Sequence, residues 1–255
     1  MIVERILARR AGLPATPEHD STTAPVLRKA APPWLWVEAS GVLYDDTCWW
    51  RWLAQLLSHT GVYTRYDALL QTWEWEVARD PQGCDFWTAL HRCLEQLGVP
   101  KGCRDEVQAA AFARQKRLDH SLLPFYGVAT TLAELAASGV CLVALSGAGC
   151  RTSRLVERLQ SLALAEPFRR FISAEDWHRS LVQPRFYRET LDYLGLRPCD
   201  VALVTSKHWH LGPASEAGLA TIAVDCPPHV RADIHLDFFA TLRREDRAPG
   251  RTRAA

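Results

Sequence analysis

The chain has 255 residues, 48% of them hydrophobic and 23% charged, with a formal net charge of +1. That length can bury a sizeable core, as one large domain or a core with an insert, and the composition is that of an ordinary globular protein. A charge near zero gives no electrostatic basis for nucleic acid or an anionic membrane as partner, and no apolar run approaches the ~20 residues that cross a bilayer.

Residues 1–33 read as an N-terminal extension. A weakly amphipathic stretch carries Glu4 and Arg5, which make it a poor secretory signal, and a linker with Pro, Thr and Ser follows as far as Pro32-Pro33. The eight cysteines form no C-x-x-C pair and read as reduced thiols, which places the protein in the cytoplasm.

Core architecture begins at Trp34. Residues Trp34 to Val37 read as a buried parallel strand ending at Glu38. Gly41 permits a tight turn, and a helix starts near Thr47, with Asp45 and Asp46 placed to cap it. From Cys48 to His120 the pattern is helical throughout. Trp49, Trp52, Leu53 and Leu56 recur at helical spacing, as do Leu69, Leu70, Trp73 and Val77; after a break at Pro81-Gln82-Gly83 the pattern resumes from Phe86 to Leu97. Eight of the ten tryptophans lie between Trp34 and Trp87. Trp49, Trp50 and Trp52 cannot share one helix face, because neighbouring positions diverge by about 100°. Most of these rings read as packing the helices onto the core, and a residual exposed one would mark an interface.

Beyond Pro124 strands and helices alternate: a helix at Thr130–Ala137, a strand at 140–145, a Ser-Gly-Ala-Gly turn, and a helix at Arg154–Leu164. A strand at 169–174, a helix at Arg185–Leu194, a strand at 201–205, a helix over Ala214–Ala217 and a strand at 221–225 complete the series. This alternation predicts an α/β fold, a three-layer Rossmann-like parallel sheet with right-handed crossovers. Ile234 to Arg243 reads as a short helix before a polar tail.

The order and spacing of these elements resemble the haloacid dehalogenase (HAD)-like superfamily over roughly residues 34–225. The resemblance divides the chain into a core (34–47 and 121–230), an inserted helical cap (48–120), and a short helix with tail (231–255). In that family the first strand ends in Asp-x-Asp-Gly, nucleophile then general acid; Glu38 and Ser40 stand in those places here. Ser146 matches the hydroxyl that binds phosphoryl oxygens. Gln183, before Pro184, stands where a lysine neutralises charge. Ser206 and His210 (Leu211 in the other register) stand where acids hold Mg²⁺.

The resemblance therefore implies the fold and withholds the chemistry. Glu38 is one methylene longer than the family's Asp, and in-line attack tolerates misplacement of about 1 Å poorly. Ser40 has no proton to give near neutral pH. Mg²⁺ wants carboxylate oxygens, and no cofactor is expected without them. Lys207, at the carboxyl end of the fourth strand, is a candidate replacement cation, and Ser146-Gly147 opening a helix a candidate anion site. The expectation is a non-catalytic homologue that binds a small phosphorylated ligand or a protein partner. The alternative is a diverged hydrolase using Glu38 with a non-standard cation, and a third possibility is a subunit whose old cleft is filled.

Two other patterns are weak. Gly147-Ala148-Gly149 lacks the third glycine of a dinucleotide fingerprint. His208, His210, Asp225, Cys226 and His229 suggest a zinc site but fit no strong ligand pattern; solvated loop histidines are the leading reading, a zinc site the minor alternative, and no metal is expected. Glu175-Asp176 reads as a surface acidic pair.

Overall fold

The computed structural model describes residues 34–79, 86–118 and 121–242. The N-terminal extension, the Pro81–Gly83 break and the polar tail lie outside them. Six strands form one parallel sheet: β1 (Trp34–Glu38), β2 (Cys141–Ser146), β3 (Phe168–Ser173), β4 (Val201–Thr205), β5 (Ala220–Val224) and β6 (Ile234–Leu236), in the order β3-β2-β1-β4-β5-β6. Parallel central strands need apolar residues on both faces, and β1, β2, β4 and β5 supply them as short, almost uninterrupted buried runs.

Alternation along each strand sorts these residues into two layers. Leu35, Val37, Leu142, Ala144, Ala202 and Val204 belong to one apolar cluster, with helices α5 (Val128–Ala137) and α6 (Thr152–Ser161). Trp36, Val143, Leu145 and Leu203 belong to the other, with α7 (Pro184–Leu194) and α8 (His208–Glu216). Glu38, two residues after Trp36, points towards the α7/α8 layer.

Four helices are inserted between β1 and α5: α1 (Thr47–His59), α2 (Tyr66–Arg79), α3 (Phe86–Gln96) and α4 (Lys101–Leu118). Their inward stripes (Trp49, Leu53 and Leu57; Leu69, Trp73 and Val77; Leu90, Cys93 and Leu94) join the first cluster. The chain leaves for the insert and returns from it side by side: Phe125 N–H donates to Leu43 O (3.0 Å), and Tyr44 bridges antiparallel to Pro124. No helix among the described residues is long and apolar enough to cross a membrane.

One expectation is corrected. The short helix read from Ile234 is the sixth strand, paired in parallel with β5 from Ile222–Ile234 to Val224–Leu236, and followed by a single 3₁₀ turn over 239–242. Three residues are too few to show a period, so the apolar alternation Ile234-His235-Leu236 looked helical when joined to Phe238, Phe239 and Leu242.

Candidate functional site

The carboxyl ends of β1, β2 and β4 lie level, because Glu38 is in register with Leu145 and Val37 with Val204. The sheet order reverses at β1: β2 and β3 lie on one side, β4 to β6 on the other. Crevices at such reversals are where open α/β sheets bind ligands. Glu38 occupies that crevice, 1% exposed.

Its carboxylate is enclosed by cations and a hydroxyl from β4 and α8. Thr205 Oγ1 donates to Glu38 Oε2 at 2.5 Å, and His210 Nδ1 lies 2.8 Å from the same oxygen. Lys207 Nζ stands 2.9 Å from Oε1, off the direction of an ideal hydrogen bond, so that contact is chiefly Coulombic. From α2 the Glu74 carboxylate approaches Lys207 Nζ at 4.0 Å and His210 Nε2 at 3.6 Å. His210 is fully buried, whereas Lys207 keeps 19% of its side chain exposed.

Burial alone would push all three groups towards neutrality, and their mutual charges overturn it. Against desolvation, the His210 and Lys207 charges hold the Glu38 carboxyl far below the usual carboxylate range. Against the same penalty, Glu38 and Glu74 raise His210 to about 9 and Lys207 above its ordinary value. The cluster is a set of fixed charges at neutral pH.

The other positions singled out in the sequence are also engaged. Ser40 Oγ donates to Asp46 Oδ1 (2.9 Å), and Thr47 N–H is capped by Asp45 (2.8 Å). Gly41 turns at φ +77°, and a Cβ there would collide with Ser206 Oγ. Ser206 O accepts from Cys226 Sγ at 3.3 Å. Ser146 Oγ donates to Cys150 O at 2.6 Å. Gln183 is the extended residue before α7, with Pro184 at the first helical position.

Glu175-Asp176 is no idle surface pair. Glu175 Oε2 accepts from Gly149 N–H (2.6 Å) and Asp176 Oδ2 from Thr152 N–H (2.8 Å), so internal carboxylates occupy the positive end of α6. This diminishes the anion site expected at the Ser146-Gly147 turn, because part of that helix end is already neutralised.

Above the cluster lies a cleft of about 70 Å³, between the Ser146–Cys150 loop and the insert; Lys207 and Glu74 line it, while Glu38 lies behind. One wall is aromatic. Trp50 packs on Trp73 (5.5 Å between centroids), Trp73 on Phe86 (4.7 Å) and Phe86 on Trp49 (5.7 Å). Phe86 rests directly on Gly149, where φ is +87° and a Cβ would overlap its ring. Trp75 alone among the tryptophans is strongly exposed, at 67%, so the described residues hold no contiguous tryptophan patch. His208, Asp225, Cys226 and His229 do not gather around His210, which is committed to Glu38; no group that could hold a metal occurs among the described residues.

Sequence reading missed Glu74, Thr205, Tyr44 and Arg158, whose Nη1 donates to Tyr44 Oη at 3.3 Å. For Glu74 a signal existed. It falls with Leu70, Trp73 and Val77 on the buried stripe of α2, where an unpaired carboxylate would be costly.

The residues do not suit Mg²⁺. A magnesium site needs oxygen donors including carboxylates. Here the one carboxylate at the strand end already holds an ammonium at 2.9 Å, and the positions that would add oxygens are Ser206 and an imidazole bonded to that carboxylate.

No family model matches the sequence. Over 150 residues, 56% of this chain, it is 27% identical to (S)-2-haloacid dehalogenase 4A of Burkholderia cepacia. That match spans 61% of the relative's length. The structure of L-2-haloacid dehalogenase from Xanthobacter autotrophicus with chloropropionic acid covalently bound is similar over 86% of this chain and 100% of that one, at 18% identity and a TM-score of 0.58. A predicted phosphoglycolate phosphatase from Haemophilus somnus 129PT is similar over 86% and 99% of the two chains, at 14% identity and a TM-score of 0.65. At such identities the structural likenesses establish the fold.

Proposed function

We propose that this chain, whose fold is that of the haloacid dehalogenase-like superfamily, is a binding homologue in which an internal ion cluster has replaced the displacement chemistry of its hydrolase relatives. One observation carries the reading: Glu38, at the place of the family's nucleophile, is buried with its carboxylate held by Lys207, His210 and Thr205. A nucleophile must present a free, exposed oxygen to its substrate, and a general acid must stand by to protonate a leaving group. Glu38 offers neither that exposure nor such a neighbour, since Ser40 is spent on Asp46. Lys207 takes the part of a resident cation without an exchangeable site. The four-helix insert serves as a cap, and the cleft beneath it, lined by Lys207 and the Ser146–Cys150 loop, is where a small anionic ligand binds. A protein partner is the other occupant this reading admits.

A second reading is favoured by the same 2.9 Å contact: Lys207 as a non-standard cation activating Glu38 in a diverged hydrolase. Turnover separates the two. Purified protein is assayed on an aryl phosphate with and without Mg²⁺, and for halide release from 2-chloropropionate, wild type beside Glu38→Gln. The binding homologue shows no turnover above blank on either substrate. Turnover that is lost in Glu38→Gln establishes the diverged hydrolase instead.

A further inference from the structure

Lys207 and His210 are shared between two carboxylates of unequal standing. Glu38 is fixed to the sheet, lies behind the cleft and touches both cations at hydrogen-bond range. Glu74 belongs to the insert, lines the cleft and forms the longer ion pairs with both, at 4.0 Å and 3.6 Å, beyond ordinary hydrogen-bond length. In consequence His210 Nε2 is buried with no hydrogen-bond partner. A fully buried donor in that state favours any acceptor that can reach it.

Charge decides which acceptor. Glu74 contributes one negative charge beside Lys207 and His210, so an external group with one negative charge can take its place without changing the charge of the site. Four further titratable groups face the cluster: Asp46, whose carboxylate acts on Lys207; the Tyr187 phenol of α7, held neutral by burial and by both carboxylates; the Tyr66 phenol, which burial pushes up to about 12; and the Cys226 thiol, which burial pushes up to about 11. An external dianion in place of Glu74 would add one negative charge to the site, whereas a carboxylate leaves the charge as it was and brings two oxygens for two donors. The walls beside it, Trp50, Trp73 and Phe86, suit a short apolar chain.

We infer that Glu74 is a tethered anion latching the four-helix insert over the cleft, and that a small external carboxylate opens the latch by taking its place between Lys207 Nζ and His210 Nε2. The exchange moves one negative charge out and one in, and converts two loose contacts into hydrogen bonds. The paired backbone segments at 43–45 and 123–125 are the connections through which the insert would move. This inference rests on the binding reading of the cleft and narrows its ligand class.

The test is acetate titration of the full chain, followed by tryptophan emission at constant ionic strength set with sodium chloride. Wild type should give a saturable change, with inorganic phosphate weaker. Glu74→Gln, which removes the internal competitor, should bind acetate about tenfold tighter, as expected when the competent state no longer has to be opened. Affinity unchanged in Glu74→Gln, or no saturable signal in either protein, overturns the latch. Hydrogen exchange of α2 in the wild type reads the same event without a variant: it should quicken with acetate, and unchanged exchange contradicts the inference. Turnover of substrate by the wild type would remove the binding reading itself, a failure distinct from any outcome with Glu74→Gln.

Discussion

A carboxylate buried at the end of a central strand is tolerable only while its partners stay charged. Removing one partner of such a cluster strands a charge in low dielectric, whereas removing a pair together can be nearly neutral. Lys207→Met should therefore cost about 3 kcal/mol in urea unfolding, and the double change Glu38→Leu with Lys207→Met should recover most of it. A double change as costly as the sum of the single ones would contradict the coupling. The pH dependence has a definite sign. His210 is raised from 6.5 to about 9, so its contribution is complete below 6.5 and lost as pH rises to about 9. Glu38 is depressed, so its contribution is lost as pH falls below its ordinary 4.5. The unfolding free energy from urea titrations should fall from pH 6.5 to 9, by up to about 1.4 kcal/mol per pH unit, and His210→Gln should flatten that slope.

At the scale of elements, one contact between the insert and the core sets a ring directly on a glycine. Gly149 combines a left-handed backbone with contact against Phe86, so an alanine there is strained and displaces the ring. Gly149→Ala should destabilise the protein by about 1–3 kcal/mol, and Phe86→Ala should cost less in that background than alone. Helix α6 depends on Asp176, whose carboxylate satisfies an N–H that the helix itself cannot; Asp176→Ala should lower stability by about 1 kcal/mol, measured by the same unfolding. These elements were unequally legible. The core strands announced themselves because a doubly covered parallel sheet needs unbroken apolar runs such as Cys141–Leu145. The β6 strand did not, because its identity comes from pairing with β5 across the chain. The role of Glu175 and Asp176 was hidden for the same reason: the N–H groups they satisfy lie 24 or more residues away in sequence.

At the scale of the molecule, the topology gathers the site. Reversal of strand order at β1 brings Glu38, Thr205, Lys207 and His210 together from segments some 170 residues apart, and the insert adds Glu74. The motif frame around Glu38, Ser146 and the fourth strand could be read from sequence because each piece is local. The resemblance also set Lys207 as a candidate cation for Glu38 and His210 at a metal-holding place; no linear pattern says that Thr205 and Glu74 close the cluster around them. On the proposed reading fold and chemistry separate here: the fold is one shared with hydrolases, and the carboxylate at the end of β1 serves as a structural ion. The most direct measurement of that claim is oxygen exchange at Glu38. Protein is incubated with 2-chloropropionate in ¹⁸O-water, and the peptide carrying Glu38 is weighed by mass spectrometry. A carboxylate that displaces halide from carbon acquires ¹⁸O when water hydrolyses the resulting ester at its acyl carbon. The ion cluster predicts a Glu38 peptide of unchanged mass; ¹⁸O in that carboxylate, scaling with turnover, would contradict it.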